Sequence, residues 1–155
     1  MNYQYYDPIK NILTPENKKI VLVGGCFDII HFGHVQFLQR AKVAGDYLIV
    51  ALEPDERIIN YKNRTPVHTQ QERAYNLSAL RYVDQIIILP QLNGFNDYLT
   101  LVKKIKPHII AITNNDPLLE NKQKQANAVN AQLIVVTDMI GTFSSSAIYQ
   151  QNNTL

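Results

Sequence analysis

The chain has 155 residues, which suits one domain with a sizeable core, and its 46% apolar and 18% charged residues are ordinary for a globular protein. The net charge of +2 gives no reason to expect nucleic acid as a partner, and one cysteine excludes an internal disulfide framework. No apolar run approaches the roughly 18 residues that span a membrane, and the first residues, MNYQYYDPIKN, lack the order of a signal peptide. We therefore expect a soluble cytoplasmic protein.

Short apolar runs alternate with helical patterns along the chain. Five runs predict buried strands, at 19–23, 47–52, 85–89, 108–112 and 132–136. The segments between and after them predict helices at 34–45, 53–61, 69–83, 96–106, 118–131 and 144–151, and Thr69 followed by Glu72 is typical of a capping box. This order predicts an α/β fold, a Rossmann-like, doubly wound, parallel five-stranded sheet in a single domain. We place that domain at residues 18–150, after an N-terminal extension (1–17) and before a polar tail (151–155).

The stretch GGCFDIIHFGH, residues 24–34, lies where the first predicted strand meets the first predicted helix. Ligands of doubly wound folds bind at this edge of the sheet, and a helix N-terminus there attracts phosphate. His31 and His34 are three residues apart, so both can face one way on a first helical turn, and Gly33 between them carries no side chain. The residues alone leave open a phosphate role and ordinary packing for both histidines. A zinc site has no support from a second cysteine or an HExxH pattern.

Several segments resemble the cytidylyltransferase-like nucleotidyltransferases. GCFDIIHFGH matches the family's GxFD and HxGH motif, and AGDYLIVAL, RTPVHTQQER, RYVD, KPHIIAI and FSSSAI resemble its later segments in order. RTPVHTQQER and ILTPENKKIV are most similar to the heptose-1-phosphate adenylyltransferases, which make ADP-heptose for lipopolysaccharide. AGDYLIVAL also resembles the glycerol-3-phosphate cytidylyltransferases, and IKPHIIAI with the triple serine resembles the archaeal-type FMN adenylyltransferases. We favour the first group.

The resemblance implies that a phosphorylated acceptor attacks the α-phosphorus of a nucleoside triphosphate and releases pyrophosphate. It assigns catalysis to His31, His34 and Lys62, and acceptor binding to Arg64 and Arg73. The nucleotide would contact Gly25, Cys26, Phe27, Asp28, Gly33, Asn114, Asp116, Thr142, Ser144, Ser145 and Ser146. It further implies Mg²⁺ as the cofactor, no metal site built from protein side chains alone, and no nucleic acid or membrane as partner. It also allows a homodimer.

Most of these side chains also have an ordinary structural interpretation. Lys62 and Arg64 could be solvated in a basic loop, and Arg73 could pair with Glu72 or Asp84. In the same way Asp28 could bond turn amides, Cys26 could be a small buried residue, and one serine suffices for a helix cap.

Two departures from the family pattern keep a second class of function open. Asn114 stands where the family usually has glycine, and Ala147 replaces a frequent lysine or polar residue. Asparagine tolerates a left-handed backbone, so the turn at Asn114 can survive the change. The alternative function is a nucleotide-binding module without turnover.

Overall fold

The computed structural model describes residues 2–137 and Gln150. In the described part the strands are β1 (Tyr3–Tyr5), β2 (Ile20–Gly25), β3 (Tyr47–Leu52), β4 (Gln85–Ile88), β5 (Ile109–Thr113) and β6 (Gln132–Thr137). The helices are α1 (Phe32–Val43), α2 (Asp55–Lys62), α3 (Gln70–Ser78), α4 (Phe95–Ile105) and α5 (Leu119–Asn127). The helix predicted at 144–151 lies outside the described residues except for Gln150, and the polar tail lies wholly outside them.

The strands form one parallel sheet in the order β1-β4-β3-β2-β5-β6. From β2 the chain moves outward through β3 to β4, and it then crosses back to place β5 on the other side of β2. The strand order therefore reverses between β2 and β5. In open α/β sheets this reversal opens a crevice beyond the carboxyl ends of the strands, where ligands bind.

Both faces of the sheet are covered, which confirms the doubly wound arrangement. Side chains of α1 and α3, among them Leu38 and Leu77, pack on one face with Val21, Val23 and Val50. Side chains of α4 and α5 pack on the other face with Leu22, Ile49 and Ile110. The inner strands β2 to β5 are buried on both faces over most of their length, so they are nearly continuous apolar runs without alternation. Each fully buried leucine or isoleucine contributes roughly 2 kcal/mol of burial free energy.

Over the described residues the sheet has six strands, so the predicted count of five is wrong. The additional strand β1 comes from the segment predicted as an N-terminal extension, and it pairs with β4 at the register Tyr3 with Ile86. Tyr6 and Ile12 from the same segment are buried against the second face. The stretch was missed because three residues of alternating tyrosine and glutamine give too short a pattern, although tyrosine favours strands.

The predicted helix 69–83 begins as expected and ends early, at Ser78. Thr69 accepts a bond from the backbone of Glu72, whose side chain accepts from the backbone of Thr69, so the capping box is confirmed. Beyond the helix the chain turns into β4, and the Asp84 carboxylate accepts bonds from the Leu48 amide and the Lys42 ammonium. In the described part of the chain, no helix is both long and apolar enough to cross a membrane.

Candidate active site

The turn after β2 is shaped by Gly25 and Phe27. Phe27 has a φ of 47°, a left-handed backbone that is unusual for an aromatic residue, and its ring is buried. A Cβ atom placed on Gly25 would lie 2.8 Å from Cε2 of that ring. Glycine is therefore required at position 25 because the Phe27 ring fills the space beside it. The left-handed turn carries the chain from the sheet to the start of α1.

His31 and His34 stand together at the N-terminus of α1. His31 is the N-cap residue, and its Nδ1 atom accepts a 3.4 Å bond from the backbone N–H of His34. The two imidazole rings stack with centroids 3.8 Å apart and an angle of 22° between their planes. The Phe27 ring lies against His34 at 5.0 Å between centroids. The predicted pairing of the two histidines on the first turn is thus present, at the edge where the crevice opens.

Both histidines are neutral at pH 7. Burial, with a smaller effect of the neighbouring His31, lowers the pKa of His34 to about 3. Burial and the Lys62 charge lower the pKa of His31. The Nδ1 atom of neutral His34 donates to the Ile29 carbonyl, 3.1 Å away, which leaves its Nε2 atom as an acceptor. Since Nδ1 of His31 accepts, its Nε2 atom carries the proton. The pair therefore presents one donor and one acceptor until it takes up a further proton.

Lys62 is the last residue of α2 and is not in the loop where the sequence placed it. Its side chain is exposed, and Asn63 ends the helix with a left-handed backbone. The Lys62 charge lowers the pKa of both His31 and His34, so the ammonium lies within electrostatic reach of both rings. The Lys62 charge therefore acts on the histidine pair from the end of α2, and its catalytic role stays a prediction.

Asp28 and Arg64 bond to each other. The Asp28 side chain is fully buried, and its carboxylate accepts from the Arg64 guanidinium at 2.5 Å and from the backbone of Val67 and His68 at 3.0 Å. Burial alone would raise the pKa of Asp28, but these bonds outweigh it and lower the pKa. Asp28 anchors the 64–68 loop beside the β2 turn. The structural interpretation of Asp28 was a hydrogen bond to amides of its own turn. Asp28 does accept from amides, but they belong to Val67 and His68 in a distant loop.

Arg73 is fully buried and has its own partners. Its guanidinium donates to the carbonyls of Cys26 and His68 and forms an ion pair with Asp55 at 2.6 Å. The partner is thus Asp55, and neither Glu72 nor Asp84. The guanidinium is enclosed by these partners and holds the Cys26 segment in place, and acceptor contact by Arg73 stays a prediction. Cys26 itself is half-buried, and burial raises the pKa of its thiol.

At the end of β5 the turn differs from the expectation. The left-handed residue is Asn115, with a φ of 58°, and Asn114 is outside that region. The Asn114 side chain instead accepts a bond from the Asn115 backbone, which supports the turn. Asp116 accepts from the Leu118 backbone at 2.8 Å and from Lys122 at 2.6 Å. Asn114 and Asp116 lie at the carboxyl end of the sheet, across the strand-order reversal from the histidines.

The remaining predicted residues divide into two groups. Gly33 is in the first turn of α1, between the histidines. The second group lies outside the described residues. It is the hydroxyl cluster of Thr142, Ser144, Ser145 and Ser146.

Two residues at the same edge were missed by the sequence analysis. Glu53 directly follows β3, and both of its carboxylate oxygens lie 2.9 Å from the Tyr98 hydroxyl on α4. Burial raises the pKa of Glu53, and burial with the Glu53 charge raises the pKa of Tyr98. The sequence signal that could have identified Glu53 was an acidic residue at the carboxyl end of a buried strand. It was passed over because EPDER was interpreted as the start of a helix.

The described residues contain no group of three or more histidine, cysteine or acidic side chains that could hold a metal ion. Asp28, the carboxylate nearest the turn, has both oxygens occupied by Arg64, Val67 and His68. The donor set of this part of the chain fits a cation bound mainly through ligand oxygens and water, as Mg²⁺ commonly is, and does not fit a cage of side chains.

A parallel sheet with stacked histidines at a helix N-terminus, beside the strand-order reversal, defines an α/β domain with a site suited to phosphate groups. The model of the family described as cytidylyltransferase-like matches residues 22–150. The chain belongs to this family, and it is a nucleotidyltransferase.

Relatives of several kinds are similar to the chain. An FAD synthase of Thermococcus kodakarensis is 42% identical over 128 residues, which are 79% of this chain and 83% of that protein. The bifunctional protein HldE of Aliarcobacter butzleri is 40% identical over 94 residues, which are 60% of this chain but only 19% of that protein. The crystal structure of a lipopolysaccharide core biosynthesis protein from Thermoplasma volcanium superposes with a TM-score of 0.64 at 27% identity, covering 79% of this chain and 97% of that one.

Proposed function

We propose that the protein transfers the adenylyl group of ATP to FMN, forming FAD and pyrophosphate. The observation that carries the choice of acceptor is the 42% identity to an FAD synthase over 79% of this chain. The sequence motifs favoured heptose-1-phosphate and left FMN as an alternative acceptor. The similarity to an FAD synthase favours FMN instead. The stacked His31 and His34 rings support the transfer step itself.

In this proposal the FMN phosphate attacks the α-phosphorus of ATP in line, and the bond to the bridging oxygen of the pyrophosphate breaks. No protein nucleophile is needed, so catalysis depends on positioning and on stabilising charge. The Nε2–H group of His31 donates to a phosphate oxygen. His34 donates through Nε2 once the triphosphate has raised its pKa and it has taken up a proton. Lys62 adds a positive charge on the same side.

The rest of the nucleotide would contact the two turns that flank the strand-order reversal. The backbone from Gly25 to Phe27 lies at one side, and Asn114 with Asp116 at the other. The hydroxyls of Thr142 and Ser144–Ser146 are proposed to bind the β- and γ-phosphates. Mg²⁺, bound by the triphosphate and water, would neutralise charge on the leaving pyrophosphate. Arg64 is proposed to act by holding the loop near the acceptor through Asp28, with which it bonds.

The test is product formation by purified protein with Mg²⁺, ATP and FMN, followed by chromatography with fluorescence detection and a pyrophosphate assay. We expect FAD and pyrophosphate in equal amounts, and no product when CTP replaces ATP. Nucleotide binding without any pyrophosphate release, across FMN, heptose-1-phosphate and glycerol-3-phosphate, would contradict the proposal and favour a binding module.

A second candidate acceptor is heptose-1-phosphate, the acceptor of the group that the sequence motifs favoured. The similarity to HldE and to the lipopolysaccharide core biosynthesis protein supports it, although the chain spans about a fifth of HldE. The same assay distinguishes the two, since pyrophosphate release with heptose-1-phosphate and none with FMN would assign the chain to that reaction.

The setting of the reaction is also proposed. A single cysteine and nucleotide substrates support a soluble cytoplasmic enzyme that binds neither nucleic acid nor membranes. A homodimer remains a prediction, which light scattering of the purified protein at two concentrations would check.

A further inference from the structure

A cavity of about 70 Å³ lies between the end of β3, helix α2 and the start of α4. Its wall includes Glu53, Arg57, Tyr61, Asn93 and Tyr98. Carboxylate, guanidinium, amide and phenol groups all contribute, so the lining can both donate and accept hydrogen bonds. A cavity of this size admits a few hydroxyl-bearing carbons.

Among the described residues, the Glu53 carboxylate in this wall has few donors. One hydroxyl, that of Tyr98, lies 2.9 Å from both oxygens and has one proton to give. In the described part of the chain no lysine or arginine nitrogen lies within 4.0 Å of Glu53. A carboxylate offers about four acceptor sites, so this partly exposed group has sites to spare for a ligand. Donors brought by a ligand would fill them.

Arg57 also lines the cavity. Its guanidinium lies 3.7 Å from the centroid of the Tyr61 ring, which fixes the position of the cation on α2. The charge of Arg57 also reaches Glu53, because it lowers the pKa of that carboxyl against the effect of burial. A donor and an acceptor thus face one small space, an arrangement that suits vicinal hydroxyl groups.

The cavity adjoins the candidate active site through the sheet. Glu53 donates its backbone N–H to the Gly25 carbonyl at 3.0 Å, and Leu52 is in register with Gly25. The chain that carries the carboxylate is therefore bonded to the turn that leads to the histidines.

We propose that this cavity binds the hydroxyl-bearing carbon chain of the acceptor, a polyol phosphate, with Glu53 accepting a hydrogen bond from one hydroxyl and Tyr98 holding Glu53 in place. The inference rests on the proposed function only in calling this ligand the acceptor. The ribityl phosphate part of FMN and a sugar phosphate share the required chemistry.

The experiment compares two probes by isothermal titration, ribitol 5-phosphate and n-pentyl phosphate, which has the same carbon chain without the hydroxyl groups. The wild-type protein is expected to bind ribitol 5-phosphate at least about tenfold more tightly, since a site built to bond a hydroxyl rejects the analogue that lacks it. In Glu53→Gln and Tyr98→Phe the preference should fall to about threefold or less, with ATP affinity within about twofold of wild type.

Two exposed residues supply matched controls, Tyr75→Phe on α3 and Glu120→Gln on α5, which should keep the full preference. Equal binding of both probes by the wild-type protein would overturn the inference. So would an unchanged preference in both cavity variants, or a parallel loss of ATP affinity. Because the readout is binding, the preference can hold while FAD formation fails, and such a result would refute the proposed function alone.

Discussion

His31 and His34 stack at 3.8 Å between ring centroids, and each has its Nδ1 atom engaged by the local backbone. Among the described residues neither Nε2 atom has a hydrogen-bond partner, so both can meet a ligand. The stacking depends on the N-cap position of His31 and on the left-handed turn at Phe27. Both features are local in sequence, so the pair is defined by residues 27–34.

Replacing His34 tests the catalytic role of the pair. His34→Ala should lower kcat by roughly a hundredfold or more, because a donor to the developing charge is lost. The loss is measured as steady-state pyrophosphate release, with circular dichroism to check the fold. The control is His108→Asn. His108 lies at the amino ends of the strands, away from the histidine pair, and an asparagine oxygen there can still accept the Ile20 N–H. An unchanged kcat in His34→Ala would remove His34 from the mechanism.

Nucleotide binding should be coupled to proton uptake. The pKa of His34 is held at about 3 in the free protein, and a bound triphosphate raises it. Protons are then taken up on binding, so ATP affinity falls as the pH rises from 6 to 8. Titration calorimetry in two buffers of different ionisation enthalpy measures the uptake, and His34→Gln should abolish it. A binding enthalpy that is the same in both buffers would contradict this coupling.

Acid should weaken the fold through the same residue. Between the unfolded pKa of about 6.5 and the folded pKa of about 3, the unfolded chain binds more protons at His34, so the free energy of unfolding falls as the pH falls. The slope from one such group is at most about 1.4 kcal/mol per pH unit. Urea unfolding at pH 7 and pH 4.5 should show a smaller loss in His34→Gln than in wild type. An equal loss in both proteins would show that His34 does not carry the effect.

Lys62 should add to the effect of burial on the pKa values of the histidines. Because its charge lowers the pKa of both His31 and His34, Lys62→Gln should raise the pKa of His31, and Lys62→Arg should leave it nearly unchanged. The titration is followed by NMR of the imidazole protons. A pKa of His31 that is the same in wild type and Lys62→Gln would place the ammonium too far away for the proposed role.

Asp28 should be a structural residue whose loss destabilises the fold. Asp28→Asn leaves the Arg64 charge, whose side chain is 8% exposed, without its carboxylate, so we expect a loss of about 3 kcal/mol in the free energy of unfolding. Urea denaturation measures it. A small loss of stability together with a large loss of ATP affinity would instead support direct nucleotide contact by Asp28.

The sequence was enough to predict the doubly wound parallel sheet and the histidine pair, because continuous apolar strands and a three-residue spacing are local patterns. It failed where a role depends on contacts between distant segments. Arg73 meets Asp55 and the Cys26 carbonyl, and Glu53 meets Tyr98, 45 positions away. Strand β1 was missed for a related reason, since its pairing with β4 and not its three-residue pattern defines it.

The central claim is that the histidine pair serves attack at the α-phosphorus of a nucleotide. The most direct measurement incubates the protein with FMN, Mg²⁺ and ATP carrying radiolabel in either the α- or the γ-phosphate, and then separates the products. The account predicts α-label in the flavin product and γ-label in pyrophosphate. Transfer of the γ-label to the flavin, or release of γ-label as orthophosphate with no labelled flavin product, would contradict it.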